Sequence, residues 1–347
     1  MTSDPVIIAV DAMGGDRGPS VIIQGAVDAA METKTRVILV GDEGQITEEL
    51  RKLSFDEELV TIVHASEVAE MHEKPSDILR RKKDASIQVA SRLVKEGKAH
   101  GMVSAGNSGA TVACGMFILG RLPGVDRPAL ASVIPTEKSP CVLVDVGANV
   151  DCKPHNLLQF GLMGSAFSKG ILGVEHPRIA LLSIGEEEGK GNSLVKEAYE
   201  LFKMAPDINF VGNAEGRDLF TGDFDVIVCD GFVGNVVLKL SEGLGSSFAR
   251  LLKREMLDSS LPVKIGSFLI RGAFTRFARM FDYAEYGGAP LLGLSHIALV
   301  CHGASNAKAI TNAVKMAATY IRNSTSKHLI ASITAAEELT DFSKASS

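Results

Sequence analysis

At 347 residues, with 46% hydrophobic but only 5% aromatic side chains, 34 glycines and no tryptophan, the chain can build a large aliphatic core and is unlike an aromatic-rich β-sandwich. Its formal net charge of −6 argues against nucleic acid as the main partner. The five cysteines form no C-x-x-C pair and read as reduced thiols of a cytoplasmic protein, and no apolar run is long enough to cross a bilayer.

The first residues, with Asp4 and Pro5 ahead of a short apolar run, are not those of a signal peptide. Residues 6–10 predict a buried strand that ends in Asp11-Ala-Met-Gly-Gly-Asp16, and a helix follows from about residue 19 to 30. Short β-branched runs at 36–40, 59–63, 131–134, 141–146, 178–184, 208–212 and 225–229 repeat the pattern, most of them followed by helical spacing. That alternation predicts a largely parallel sheet covered on both faces. The stretch 101–115 reads as a strand, a tight turn and a helix start. Gly106 and Gly109 there let backbone approach a ligand, and Asn107, Ser108 and the first helical amides offer donors to a phosphate or an oxyanion. An ordinary strand-to-helix connection capped by Asn107 or Ser108 fits equally well.

Ligands of such sheets bind beyond the carboxyl ends of the strands, and six polar Gly-rich motifs fall there. They are 11–16, 104–109, 145–149, 183–192, 212–216 and 230–235, read together as one edge and one cleft. Asp11 and Asp16 serve equally to fix a loop, Asp145 and Asn149 to cap a helix, and Glu186 to Glu188 to form a solvated charge run. Lys190, between Gly189 and Gly191, presents a cation from a flexible backbone at a helix start and reads as a phosphate or oxyanion ligand. Asp230 and Asn235 flank a Gly-x-x-Gly turn that binds or caps. The 185–191 loop is not a P-loop, no G-x-G-x-x-G follows the first strand, no G-x-S-x-G occurs, and the histidines lack zinc-like spacing. Cys301-His302 reads as a buried cysteine rather than a thiol nucleophile, since neighbours on an extended segment point opposite ways.

Taken in order, Ile8-Ala-Val-Asp-Ala-Met-Gly-Gly-Asp-Arg-Gly-Pro19, Ser104-Ala-Gly-Asn-Ser-Gly109, Asp126-Arg-Pro-Ala129, Asp145-Val-Gly-Ala-Asn149, Gly189-Lys-Gly-Asn192, Asp230-Gly-Phe-Val-Gly-Asn-Val236, Tyr286-Gly-Gly-Ala-Pro-Leu-Leu-Gly293 and His302-Gly-Ala-Ser-Asn306 resemble the bacterial phosphate acyltransferases that make acyl phosphate from acyl-acyl carrier protein. The resemblance runs from Val6 to about Ile321, with Ser108 where threonine is more usual. It implies a three-layer α/β/α fold similar to the isocitrate and isopropylmalate dehydrogenases and to phosphate acetyltransferase. It also implies a homodimer with a cleft between two closely joined lobes over 1–333, an amphipathic helical tip around 260–282 and a polar tail at 334–347. Inorganic phosphate would attack the thioester of a long-chain acyl group, and the product would serve the glycerol-phosphate acyltransferase that begins phospholipid synthesis. No metal or organic cofactor is expected.

That chemistry suits the residues. Phosphate is already an anionic nucleophile and a thiolate leaves well, so positioning and charge stabilisation matter more than a strong base. Asn107, Ser108 and Gly109 are assigned to phosphate, with Asp11, Asp16, Asn149 and Asn192 as further substrate-binding residues. Lys190 is assigned to phosphate or the oxyanion, and Asp230, Asn235 and His302 to orientation or proton handling. Arg80, Arg81, Lys82 and Lys83 would steer an acidic carrier protein, or form a solvated helix face. Over 268–281, Ile270, Phe274, Phe277 and Phe281 share one helical face opposite Arg271, Arg276 and Arg279. This basic amphipathic helix would hold the protein peripherally on an anionic membrane, or else pack on the core. A β-decarboxylating dehydrogenase and a non-catalytic membrane scaffold are the alternatives. The first lacks a cluster of aspartate ligands and a nicotinamide site; the second leaves the Gly-rich turns without purpose.

Overall fold

The computed structural model describes residues 5–206, 208–258, 260, 262, 266, 270, 272, 283–337 and 341. Among them are eleven strands: β1 (Ile7–Asp11), β2 (Arg36–Gly41), β3 (Val60–His64), β4 (Gly101–Ser104), β5 (Ala129–Ile134), β6 (Cys141–Val144), β7 (Ile179–Leu182), β8 (Phe210–Ala214), β9 (Val226–Val228), β10 (Ala289–Leu292) and β11 (Ile297–Val300). They form one sheet in the order β3-β2-β1-β4-β11-β10-β5-β6-β9-β7-β8. The group β3, β2, β1, β4 and β11 is parallel throughout. β10 is antiparallel to both β11 and β5, and β5 is antiparallel to β6. β6, β9, β7 and β8 are again parallel to one another. Three reversals separate the two groups, so they run in opposite senses.

Alternation along each strand feeds two layers. Ile8 and Val10 face one layer, while Ala9 between them faces the other. The first layer holds α1 (Pro19–Thr33), α2 (Glu43–Leu50), α6 (Pro154–Phe167), α7 (Ser193–Met204), α9 (Ala307–Arg322) and α10 (Thr325–Ala335). Its core is continuous across both strand groups, from Ile23 through Phe160 and Phe167 to Phe202. On the opposite face, α3 (Pro75–Arg81), α4 (Ser86–Lys95) and α5 (Ser108–Cys114) cover the first group through Ile78, Ile87, Ala90 and Ala110. Leu219, Val237 and Leu238 cover the second group, on Leu143 and Ile227. The sheet covered on both faces that the alternation predicts, and the three-layer α/β/α architecture that the resemblance implies, are present.

Each end of α1 has a local cause. Pro19 occupies its first position, where no amide partner is needed, and Lys34 stops it in the left-handed region at φ 55°. The sequence pattern misses β10 and β11. Pro290 speaks against a central strand, because it cannot donate to a ladder. It is tolerated because the pairing of β10 with β5 covers only Leu291 and Leu292, which leaves that side of Pro290 outside the ladder.

The 28-residue helix α8 (Gly231–Asp258) joins the body through Val237 and Leu238. Phe232, Val236, Leu240, Leu244, Phe248 and Leu251 are exposed on it. Spaced by four, four, four, four and three residues, they form one apolar ridge along its length.

Candidate active site

The strand senses correct one expectation. The carboxyl ends of the two parallel groups lie on opposite edges of the sheet, so the six Gly-rich motifs divide into two sets. The 11–16 and 104–109 turns and His302 stand on one edge, and the 145–149, 183–192, 212–216 and 230–235 segments on the other. The sets are not isolated from each other, because Ala148 packs against the layer that carries α5.

On the first edge the centre is Asp11, 2% exposed at the end of β1. Its Oδ1 accepts from Ser86 Oγ at 2.6 Å and from Met13 N at 3.3 Å, and its Oδ2 from Ser104 Oγ at 2.7 Å. Ser104 Oγ in turn accepts from Gly106 N at 3.1 Å. Burial pushes the Asp11 carboxyl above the usual aspartate value, and the hydroxyl and amide donors pull it partly back. Asp11 therefore braces the turn and has no face for substrate. Gly14 explains why the motif needs glycine, since a Cβ there would fall 2.6 Å from Gly106 N. Asp16 is exposed, and its amide donates to the Gly303 carbonyl at 2.8 Å, tying the 11–16 turn to the segment after β11.

Asn107 is buried and its side chain is fully engaged. Oδ1 accepts from Ala110 N at 3.0 Å and caps α5, while Nδ2 donates to the carbonyls of Glu70, Met71 and Glu73 at 3.1, 3.2 and 2.9 Å. Asn107 thus clamps the 70–73 loop onto the turn, and no donor of its side chain remains for phosphate. Ser108 and Gly109 are exposed, so the hydroxyl and first-turn amides at these two positions are what the turn presents. Pro75 at the start of α3 packs on Gly109. Beside it lies a cleft of about 350 Å³ lined by His72, Glu73, Lys74, Asp77, Arg81 and Lys82.

On the second edge Asp145, fully buried, plays the bracing part. Oδ1 accepts from the amides of Leu130, Gly147 and Ala148 at 2.9, 3.2 and 3.0 Å, and Oδ2 from Asn149 N at 2.6 Å and Asn149 Nδ2 at 3.0 Å. Burial raises this carboxyl as well, against the pull of those donors. Asn149 spends its amide on Asp145 and on the Pro128 carbonyl at 2.8 Å, so it is structural rather than substrate-binding. Asp230 Oδ1 accepts from Val233 N at 2.9 Å and caps α8, whose Asn235 amide lies over Gly147. Asn192 caps α7 through Val195 N at 2.9 Å. Lys190 is exposed, and no ion pair joins it to another described residue.

Of the four basic residues proposed for docking, Arg80 and Arg81 are exposed in the last turn of α3, where cations suit the carbonyl end of a helix. Lys82 is held by Glu73 at 2.7 Å and by the Val68 carbonyl at 2.8 Å, and Lys83 Nζ donates to the Leu79 carbonyl. Ile270 is half-exposed, while Phe274, Phe277, Phe281, Arg271, Arg276 and Arg279 lie outside the described residues. Cys301 is buried, and burial pushes its thiol up to about 12, which suits packing and not nucleophilic attack. Among the described residues no three His, Cys, Asp or Glu side chains gather as a metal site, and no helix is long and apolar enough to cross a membrane.

Ser86 and Ser104, whose hydroxyls hold the Asp11 carboxylate, are residues to which the motif reading gave no role. Nothing next to Ser86 in sequence marks it, because its partner is 75 residues away.

Residues 6–328 match the family model described as fatty acid synthesis protein. The chain is 70% identical over 339 residues to a phosphate acyltransferase of Nitratidesulfovibrio vulgaris, covering 98% of each sequence. It is 62% identical over 342 residues to a phosphate acyltransferase of Lawsonia intracellularis, covering 99% of each. Its fold is similar to that of a phosphotransacetylase from Streptococcus pyogenes, with a TM-score of 0.64 at 21% identity over 91% of this chain and 94% of that one.

Proposed function

The chain belongs to the phosphate acyltransferase family, and we propose that it transfers a long-chain acyl group from acyl-acyl carrier protein to inorganic phosphate, releasing acyl phosphate for a glycerol-phosphate acyltransferase. The observation that carries this reading is the exposed pair Ser108 and Gly109 on a turn braced from behind by Asp11, Ser104 and Asn107. Such a turn aims preorganised donors outward at an anion and needs no rearrangement to do so.

Phosphate held there attacks the thioester carbonyl, the carbonyl electrons collapse back, and the carrier thiolate departs. The thiolate is a good leaving group, so no strong acid has to protonate it first. Lys190, Asp230, Asn235 and His302 remain candidates for the oxyanion, orientation and proton handling. Exposed Arg80, Arg81 and Lys83 beside the 72–82 cleft would steer an acidic carrier. The α8 ridge supports a homodimer, since six large apolar side chains on one face call for a matching surface, and a second copy carries the same ridge. Peripheral attachment through the 268–281 segment would keep the apolar product at the membrane.

The test is phosphate-dependent release of free carrier-protein thiol from palmitoyl-carrier protein, with and without chelator. Release that needs phosphate and ignores the chelator is expected. Thiol release independent of phosphate would sink the reading in favour of simple hydrolysis.

A further inference from the structure

We propose that Asp11 is a positioning residue that sets the ligand-ready shape of the 106–109 turn through Ser104 without itself touching substrate. The proposal rests on the placing of phosphate at Ser108 and Gly109. Both carboxylate oxygens are spent inside the protein, one on Ser86 Oγ and Met13 N and the other on Ser104 Oγ. A carboxylate only accepts, so it compels both hydroxyls to donate inward. Ser104 Oγ is then left with lone pairs alone, and these take the Gly106 amide at 3.1 Å. A chain runs from the buried anion through one hydroxyl to the first amide of the turn, each link polarising the next.

Ser86 holds the other carboxylate oxygen from the first turn of α4 and makes no link to the 106–109 turn. The two serines are buried to the same degree, at 1% exposure each. They share the same carboxylate, yet only Ser104 leads to the 106–109 turn. This asymmetry separates a positioning role from a merely structural one. In Asp11→Asn one of the two oxygens becomes a donor, so one serine hydroxyl must reverse. Reversal at Ser104 would turn its proton toward Gly106 N and break the relay without changing the shape of residue 11.

The experiment measures half-saturation by phosphate and by acyl donor, with thermal midpoints, for Asp11→Asn, Ser104→Ala, Ser86→Ala and the Asp11→Asn/Ser104→Ala pair. Asp11→Asn and Ser104→Ala should each raise the phosphate constant about tenfold, the scale of one misdirected hydrogen bond, and leave the donor constant within about twofold. The double variant should be no worse than either single one, because both act through one relay. Ser86→Ala should lower the thermal midpoint and leave the phosphate constant alone. Equal shifts in the phosphate and donor constants, or a Ser86→Ala effect matching that of Ser104→Ala, would overturn the proposal. A wild-type enzyme that turns over without saturating in phosphate would instead remove the premise at Ser108 and Gly109, and the proposal with it.

Discussion

Gly234 lies directly on Asp145, so close that any side chain at 234 would overlap the Asp145 carbonyl oxygen. The first turn of α8 is thereby seated on the turn after β6, and a Cβ at Gly231 would similarly fall 2.6 Å from the Asn149 carbonyl oxygen. The helix that carries the apolar ridge and the buried carboxylate that organises the second edge are one mechanical unit.

Replacing Gly234 by alanine should therefore cost about 1–3 kcal/mol or more, the range for forcing atoms into a filled site. Gly243, eleven positions further from the start of α8 than Phe232, has nothing within 4 Å of a would-be Cβ. Gly243→Ala should stabilise by about 0.5–1 kcal/mol through reduced chain entropy in a helix. Urea unfolding of the two variants checks both signs, and equal destabilisation would show that the contact at Asp145 is not what matters.

Lys190→Ala should preserve the fold, because its side chain is exposed, and lower turnover by roughly two to three powers of ten, the scale of a lost oxyanion partner. Lys190 starts from the edge opposite Ser108, so this variant tests whether both edges serve one reaction. Turnover within about twofold of wild type at saturating phosphate would confine the chemistry to the Ser108 edge.

The local parts of this fold were legible and the long-range relations were not. Alternating β-branched runs and Gly-rich ends located β1, β2, β6 and the turns behind them within a few residues. The division into two edges was hidden, because it depends on antiparallel pairings through β5 and on β10, a short strand containing Pro290. Asn107 reads correctly as both cap and turn residue, but its three carbonyl partners lie 34 to 37 residues earlier in a loop with no distinguishing pattern. The α8 ridge was missed as well: its four-residue spacing stands in the sequence, but only the length of α8 turns it into one surface.

Asp225 ties the start of β9 to Arg178, accepting from Nε at 2.9 Å, from Nη2 at 3.0 Å and from the Arg178 amide at 2.8 Å. Burial alone would raise its carboxyl, but the Arg178 hydrogen bonds and charge outweigh burial and hold it below the ordinary value. A depressed carboxyl contributes stability above the unfolded-state value near 3.9, and loses it as pH falls through the folded value. Asp225→Asn should cost about 1–3 kcal/mol at neutral pH. Its gap from wild type should close on acidification below about pH 4. A gap that stays constant with pH would mean the pair contributes by packing alone.

Charge reversal at Arg81 and Lys83 should slow carrier-protein donors and flatten their salt dependence, while a small acyl-thioester donor is used almost as before. Lys82 is left in place, since Glu73 and the Val68 carbonyl already hold it. Initial rates with both donors across a salt series decide the matter. Equal loss with both would point to damage at the nearby turn rather than to steering.

The α8 ridge and the 268–281 segment are the two candidate surfaces for a membrane, and two variants separate them. At 28 residues α8 is roughly 42 Å long. Its ridge of Phe232, Val236, Leu240, Leu244, Phe248 and Leu251 is interspersed with charged positions such as Lys239, Glu242 and Arg250. Two antiparallel copies of such a helix would bury both ridges and leave the charges at the rim. Leu240→Glu with Leu244→Glu should therefore convert a dimer to a monomer in sedimentation or light scattering, because two buried carboxylates per copy cannot be accommodated. Phe274→Glu with Phe277→Glu should leave the oligomeric state unchanged and release the protein from vesicles containing anionic lipid, where each nearby arginine contributes on the order of 1 kcal/mol. If the Leu240/Leu244 variant keeps its size but leaves the vesicles, the ridge is the membrane surface and the assignments exchange.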